Sequence, residues 1–355
     1  MDDSSALAPK LSAPQHRPRP LPLFLELLRS ETAAQPERMK RALEGLRRYQ
    51  EFPREPLSPM APAIGEREGA ALRDYGGSGA TVLFVPSLIN PPGVLDLSED
   101  KSLLRWLAAR GHRVLLLDWG WPGERRAGLS VTGHIEQILL PLAAALGEPP
   151  VLVGYCLGGT MAFGAARAAG AAAVAAIAAP WRFSAFPDDA RAGLATLWER
   201  SRGSAEALGV LPMEVLQSAF WSLDPARTIA KFEAFAADEG EKARAFVTLE
   251  DWANDGPPLA SEAARELFED FFAADRTGRG EWRVAGERVD PAALPCPVLD
   301  IVSTVDRIVP AASAAAAGER LELALGHVGM VVGGRGREAL WEPLSAWLSR
   351  VTASC

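Results

Sequence analysis

The residues best suited to covalent chemistry lie in Val151-Leu152-Val153-Gly154-Tyr155-Cys156-Leu157-Gly158-Gly159-Thr160, where an apolar run passes through Gly-x-Cys-x-Gly into a helix-like stretch, Thr160 to Ala169. The spacing is that of a nucleophile elbow with sulfur in place of the serine oxygen. Such a turn is tight, and side chains two positions either side of the nucleophile would strike neighbouring strands, which accounts for Gly154 and Gly158. The same turn directs the Leu157 N–H toward an oxyanion forming on a bound acyl group, with the helix N-terminus adding favourable potential. A second donor is expected from the loop Pro86 to Asn90, at Ser87 or Leu88. The competing reading of Cys156 is a buried structural cysteine in Ala/Gly-rich packing. It leaves the order of strand, glycines and helix unexplained.

A cysteine nucleophile needs a base that yields thiolate at neutral pH, normally a histidine oriented by a carboxylate. The chain has only four histidines, His16, His112, His134 and His327. The order nucleophile, acid, histidine that accompanies this elbow in the α/β-hydrolase fold is met by Asp306, after the run ending at Val302, and by His327 in Leu325-Gly326-His327-Val328-Gly329. Both are expected on loops at the carboxyl edge of a sheet, where ligands bind in open α/β folds. A solvated turn aspartate and a hydrogen-bonded loop histidine are the plainer alternatives, and neither explains the shared order. His112 reads as a surface helix-to-strand turn, His134 as part of a helix and His16 as part of an N-terminal arm. Asp118 and Asp300, at or within strands, read as structural carboxylates.

The elements that must position these groups alternate. Thr81 to Val85, Arg113 to Asp118, Pro150 to Gly154 and Val174 to Ala179 are short apolar runs, with a helix-like stretch from Ser102 to Arg110 between the first two. Continuously apolar strands alternating with helices indicate a parallel sheet covered on both faces. The expected fold class is therefore α/β, an α/β-hydrolase fold with a mostly parallel, doubly wound sheet and an inserted, mainly helical cap. The expected divisions are a disordered arm over 1–22, an N-terminal helical region and linker over 23–70, core over 71–180, a Trp/Phe-rich cap over 181–285, and core again over 286–355. Leu23 to Tyr49 carries a helical period, Pro53, Pro56, Pro59 and Pro62 mark the linker, and a last helix is expected from Arg337 to Arg350. In the cap, Trp198, Phe220, Trp221, Phe232, Phe235, Phe271 and Phe272 are candidates to line an apolar path, although aromatics at helical spacing more often form core.

Composition narrows the partners. The 355 residues are 48% hydrophobic and 23% charged, with a net charge of −8 and no dense basic block, so nucleic acid is not an expected partner. The chain opens without the basic and apolar regions of a secretory signal, and its most apolar stretch, Ala168 to Pro180, is too short to span a bilayer. Three widely spaced cysteines, Cys156, Cys296 and Cys355, form neither a disulfide framework nor a zinc pattern. A cytoplasmic location fits, with no metal and no permanently bound cofactor.

Taken together, Val85-Pro86-Ser87-Leu88-Ile89-Asn90, Val94-Leu95-Asp96-Leu97, the Cys156 elbow, Trp252-Ala253-Asn254-Asp255-Gly256-Pro257, Asp306-Arg307-Ile308-Val309-Pro310 and Gly326-His327-Val328-Gly329 resemble the polyhydroxyalkanoate synthases over residues 40–350. The resemblance implies an acyltransferase that takes 3-hydroxyacyl-CoA, loads the acyl group onto Cys156 and extends a polyester with release of coenzyme A. It implies His327 as base, Asp306 as its partner, and work at the surface of polymer granules. The short length and Gly-His-Val-Gly look closer to the two-subunit synthases, which leaves room for a second synthase subunit and for a homodimer. This chain reads Asn90-Pro91-Pro92-Gly93 where the family often has a basic and an aromatic residue, which alters the expected pocket wall.

Sulfur suits this chemistry, since passing an acyl group from coenzyme A to cysteine exchanges one thioester for another, and onward transfer to an alcohol is downhill. Two alternatives stay open at this point. One is a thioesterase or intracellular polyester depolymerase using the same three residues; the other is a granule-associated binding protein with weak catalysis. Coenzyme A binding calls for Arg or Lys near the cleft mouth, at positions the sequence does not single out.

Overall fold

A computed structural model describes residues 18–54 and 59–353. His16, Pro56 and Cys355 lie outside them, as does most of the expected arm over 1–22. The chain divides into two compact units, one holding the N-terminal helices together with Phe220–Asn254, the other holding Leu57–Ala219 and Asp255–Cys355.

The larger unit is built on eight strands: β1 Ala63–Arg67, β2 Ala70–Gly76, β3 Thr81–Val85, β4 Arg113–Asp118, β5 Val151–Tyr155, β6 Ala173–Ile177, β7 Val298–Ser303 and β8 Glu319–Leu323. They form one sheet in the order β1-β2-β4-β3-β5-β6-β7-β8. β1 pairs antiparallel with β2, and β2 with β4, while every pair from β4 to β8 is parallel. The strands β3, β5 and β6 are buried along their whole length, as continuously apolar runs in a doubly covered sheet must be. Helical crossovers join the central parallel strands: Leu103–Ala108 between β3 and β4, a run over 131–144 with a π-helical middle at Ile135–Leu139 between β4 and β5, and Leu157–Ala166 between β5 and β6.

Leu157–Ala166 is buried on every side. Its small residues make this feasible, because a Cβ on Gly164 would lie 2.5 Å from the Trp282 ring. Within the insertion after β6, Asp188–Leu208 and the helix from Ser261 through Glu266–Ala273 pack by aromatic contacts. Trp198 stacks on Phe268 at 5.3 Å, and Phe183 meets Phe272 edge-on at 4.8 Å.

The smaller unit has Leu21–Thr32, Pro36–Glu51, Pro225–Phe235 and Gly240–Ala253 around a core of Phe24, Tyr49, Trp221, Phe232 and Phe235. Two of its helices cross closely at Gly45, where a Cβ would fall 1.9 Å from the Phe232 carbonyl oxygen. The Asn254 side chain ties its own helix end to the chain entering the first helix, donating to Glu250 O at 2.7 Å and accepting from the Arg19 N–H at 3.0 Å.

Several expectations differ from what is found. The single helical stretch from Leu23 to Tyr49 is two helices, because Pro36 cannot continue the first and instead opens the second. The first helix also begins at Leu21, inside the stretch read as an arm. The sheet begins at Ala63, within the stretch read as linker. Phe220–Asn254, read as part of one cap over 181–285, clusters with the N-terminal helices. The last helix breaks into a π-helical turn, Arg337–Trp341, and Glu342–Thr352. His112 does occupy a turn but is buried, with Nε2 2.9 Å from Ser345 Oγ, and burial pushes its pKa down.

Candidate active site

Cys156 is the single residue between the end of β5 and the helix Leu157–Ala166, and it has φ 56° and ψ −130°. This combination is unfavourable for any residue with a Cβ and is held by surroundings that over-determine it. The Cys156 N–H donates to Ile177 O at 2.9 Å, and its carbonyl accepts from the Gly159 N–H at 2.8 Å. Each glycine of the motif has a measurable reason. A Cβ on Gly154 would lie 2.3 Å from Gly159 Cα, one on Gly158 would lie 2.0 Å from Val85 O, and one on Gly159 would lie 2.4 Å from Ala179 Cβ. The elbow is therefore pressed directly onto the end of β3 and the loop that follows.

As the first helical residue, Leu157 has an N–H with no intrahelical acceptor, which leaves it available to a substrate oxygen. The loop after β3 supplies Ser87 and Leu88, both buried, and Ser87 Oγ accepts from the Ile89 N–H at 3.0 Å.

Asp306 lies on the loop after β7 and His327 on the loop after β8. Asp306 Oδ2 accepts from His327 Nδ1–H at 2.6 Å, while Oδ1 accepts from the N–H groups of Ile308 and Val309 at 2.8 and 3.1 Å. The Asp306 side chain is fully buried, and that of His327 is 8% exposed. With Nδ1 committed to the carboxylate, Nε2 remains for Cys156, which is partly exposed. Burial alone disfavours the imidazolium. Attraction from the Cys156 sulfur, the hydrogen bond to Asp306, a hydrogen bond to Cys156 and the Asp306 charge together outweigh it and carry the His327 pKa up to about 10. The imidazolium is thereby held beside the Cys156 sulfur.

The sign of the pH effect follows. Unfolded, His327 has its ordinary value of 6.5, and the fold raises it to about 10. The part of the rise that comes from Asp306 stabilises the fold below pH 6.5 and is lost as pH climbs above it, whereas the part that comes from Cys156 shifts a proton within the native pair and adds no net uptake. Thermal melts of the wild type should fall more steeply between these pH values than those of His327→Gln, and parallel slopes would count against the charged pair.

Sequence reasoning named Cys156, Asp306, His327 and the elbow glycines, and the structure brings them together. It overlooked two hydroxyls that hold the histidine loop. Tyr155 packs its ring on His327 at 5.0 Å and donates its hydroxyl to His327 O at 3.2 Å. Burial, then the charges of Cys156 and Asp306, hold the Tyr155 pKa well above its ordinary value, so the hydroxyl stays a donor. Ser303 donates to Leu325 O and accepts from the Val305 N–H at 3.2 Å, fastening the acid loop to the histidine loop. Tyr155 stood in the motif, but its partner is a backbone carbonyl 172 residues away, and such a pairing leaves no spacing signal.

Other residues singled out from the sequence lie in plainer settings. Asp118 is paired with Arg73 at 2.7 Å. Asp300 is fully buried in β7 and accepts from the Ala316 N–H at 2.8 Å. His134, in its helix, donates Nδ1–H to Ser130 O at 2.8 Å, and burial pushes its pKa down to about 4. Phe232, Phe235 and Phe271 are fully buried core residues. Among the described residues no group of three or more His, Cys, Asp or Glu is arranged to hold a metal ion. No described helix is long and apolar enough to cross a membrane.

The parallel sheet, with its sharp strand-to-helix turn and its loops at the strand ends, is that of the α/β-hydrolase class, and the chain belongs to the alpha/beta hydrolase fold family, which matches residues 81–342. Solved structures agree on the fold. An esterase of Thermogutta terrifontis covers 82% of this chain and 97% of its own at 20% identity and a TM-score of 0.50. The haloalkane dehalogenase DbeA of Bradyrhizobium elkani covers 84% and 99% at 18% identity and a TM-score of 0.51.

More particular relatives bear out the resemblance carried by the motifs. The chain is 29% identical to the Poly(3-hydroxyalkanoate) polymerase subunit PhaC of Allochromatium vinosum over 289 residues, 76% of this chain and 80% of that protein. It is 28% identical to the subunit of the same name from Haloferax mediterranei over 291 residues, 76% of this chain and 58% of that protein. The PhaC subunit of Synechocystis sp. is 27% identical over 292 residues, 76% of this chain and 77% of that protein.

Proposed function

We propose that the chain is an acyltransferase that polymerises 3-hydroxyacyl groups from coenzyme A thioesters, with Cys156 as acyl carrier, His327 as base and Asp306 as the group that orients it. The observation that carries this reading is a cysteine at a strained elbow, facing a histidine whose other nitrogen is fixed by a buried carboxylate. The similarity to PhaC subunits supports the substrate class.

In the first half-reaction the Cys156 thiolate attacks the thioester carbonyl, and the oxyanion is met by the Leu157 N–H and a donor from Ser87 or Leu88. Collapse breaks the bond to coenzyme A, whose sulfur takes the proton from the His327 imidazolium. In the second, His327 removes the proton from a 3-hydroxyl group, which attacks the Cys156 thioester. An oxyester forms, and sulfur leaves as thiolate beside the imidazolium. Thioester exchange is nearly balanced in free energy and ester formation is downhill, so the cycle runs toward polymer. No resident cofactor takes part, and coenzyme A enters as part of the substrate. The same reading places the protein in the cytoplasm, at the surface of growing polymer.

The test is to incubate purified protein with 3-hydroxybutyryl-CoA, alone and with a candidate second subunit, and to measure free coenzyme A, free acid and polymer together. Release of coenzyme A matched by polymer is expected. Matched release of free acid would assign the site to a thioesterase, and no release across several acyl lengths would remove the proposal.

A further inference from the structure

We infer that Trp119 is a positioning residue for the oxyanion-binding loop, acting through the Pro86 carbonyl. This rests on Cys156 being the acyl acceptor, but not on the identity of the acyl donor.

The geometry begins with sheet order. β3 lies between β4 and β5, so Trp119, the first residue past β4, and Cys156, the first past β5, flank the loop that leaves β3. The Trp119 indole donates Nε1–H to Pro86 O at 2.9 Å, and the residue is 3% exposed. In a trans peptide the carbonyl and the following N–H point in opposite directions. Holding the Pro86 carbonyl therefore fixes the plane of the Pro86–Ser87 peptide, and with it the direction of the Ser87 N–H at the loop beside Cys156. The next turn is fixed from its far end by the bond from the Ile89 N–H to Ser87 Oγ. The segment that carries both candidate donors is thus held at two points before substrate arrives.

Trp119 is itself braced. The Arg126 guanidinium, 2% exposed, donates to the Trp119 carbonyl, and the indole meets the His134 ring edge-on at 5.8 Å. From the other side, Gly158 lets the elbow approach so closely that a Cβ there would lie 2.6 Å from Pro86 O. The carbonyl that Trp119 holds is thus part of the surface on which the nucleophile turn rests. Preorganised donors of this kind typically contribute about 10²–10³-fold in rate each, and a misaimed donor forfeits part of that.

The consequence is a separation of two rates. Acylation of Cys156 by p-nitrophenyl butyrate passes through an oxyanion: thiolate attacks the ester carbonyl, a thioester forms and p-nitrophenolate leaves. Alkylation by iodoacetamide is a displacement at saturated carbon, forms no oxyanion and reads the sulfur and His327 alone. Trp119→Phe keeps an aromatic ring at the site and removes the N–H together with the rest of the pyrrole ring. It should slow single-turnover nitrophenolate release at saturating ester at least tenfold, leaving half-saturation within about threefold and alkylation within about twofold of wild type. Ser87→Ala, which loosens the other anchor, should show the same split and serves if the first variant fails to fold. Unchanged release in both variants, or release and alkylation falling together, would overturn the inference. Absence of nitrophenolate release from the wild type would instead remove the reading of Cys156 on which it rests.

Discussion

Cys156→Ala and Cys156→Gly should both abolish coenzyme A release, by about 10⁴-fold or more, while differing from each other in stability. The loss of activity follows because no other nucleophile occupies the elbow. The stability difference follows from the backbone. At φ 56° and ψ −130° alanine keeps the Cβ that makes this region costly, whereas glycine adopts positive φ readily. Relief of about 1–3 kcal/mol of local strain, offset by the extra chain entropy of an unfolded glycine, should leave the Gly variant melting above the Ala variant. Both should share a native circular dichroism spectrum. If the Ala variant melts as high as the Gly variant, the elbow carries no strain.

Asp306→Asn should be the second most damaging change, with little loss of fold. Oδ1 already accepts from the Ile308 and Val309 N–H groups. An asparagine would keep its oxygen on those donors and turn its amide NH₂ toward His327 Nδ1. That nitrogen would then have to accept, which moves the imidazole proton to Nε2, the nitrogen facing Cys156. The base would be blocked while the packing stayed intact, a tautomer effect that in comparable arrangements lowers rates by about 10⁴-fold. Iodoacetamide alkylation at pH 7 should fall with coenzyme A release, since both need thiolate. Alkylation at the wild-type rate would show that Asp306 does not govern the proton on His327.

The parts of the molecule legible in the sequence are those with a local physical signature. β3, β4, β5 and β7 announce themselves as short runs of Val, Leu and Ile because a doubly covered parallel strand has no polar face. The elbow is legible because its glycines are dictated by contacts of 2.0–2.4 Å that no side chain survives. Asp306 and His327 were reachable from their order alone, since they follow the elbow as acid and then histidine.

What escaped notice lacks such a signature. β1 and β8 are edge strands with exposed Glu and Arg positions, so they carry no apolar run to betray them. The grouping of Phe220–Asn254 with the N-terminal helices depends on contacts such as Phe24 with Trp221 and Phe232, far apart in the chain. Trp119, Tyr155 and Ser303 act on backbone carbonyls, and a carbonyl is the same group in every residue.

The most direct test of the central claim is to mix the protein briefly with 3-hydroxybutyryl-CoA, quench in acid, digest, and weigh the peptide that carries Cys156. A 3-hydroxybutyryl or oligomeric adduct on Cys156, absent from Cys156→Ala and accumulating in step with coenzyme A release, is the predicted result. Coenzyme A release at full rate with Cys156 unmodified, or an adduct confined to another residue, would contradict it.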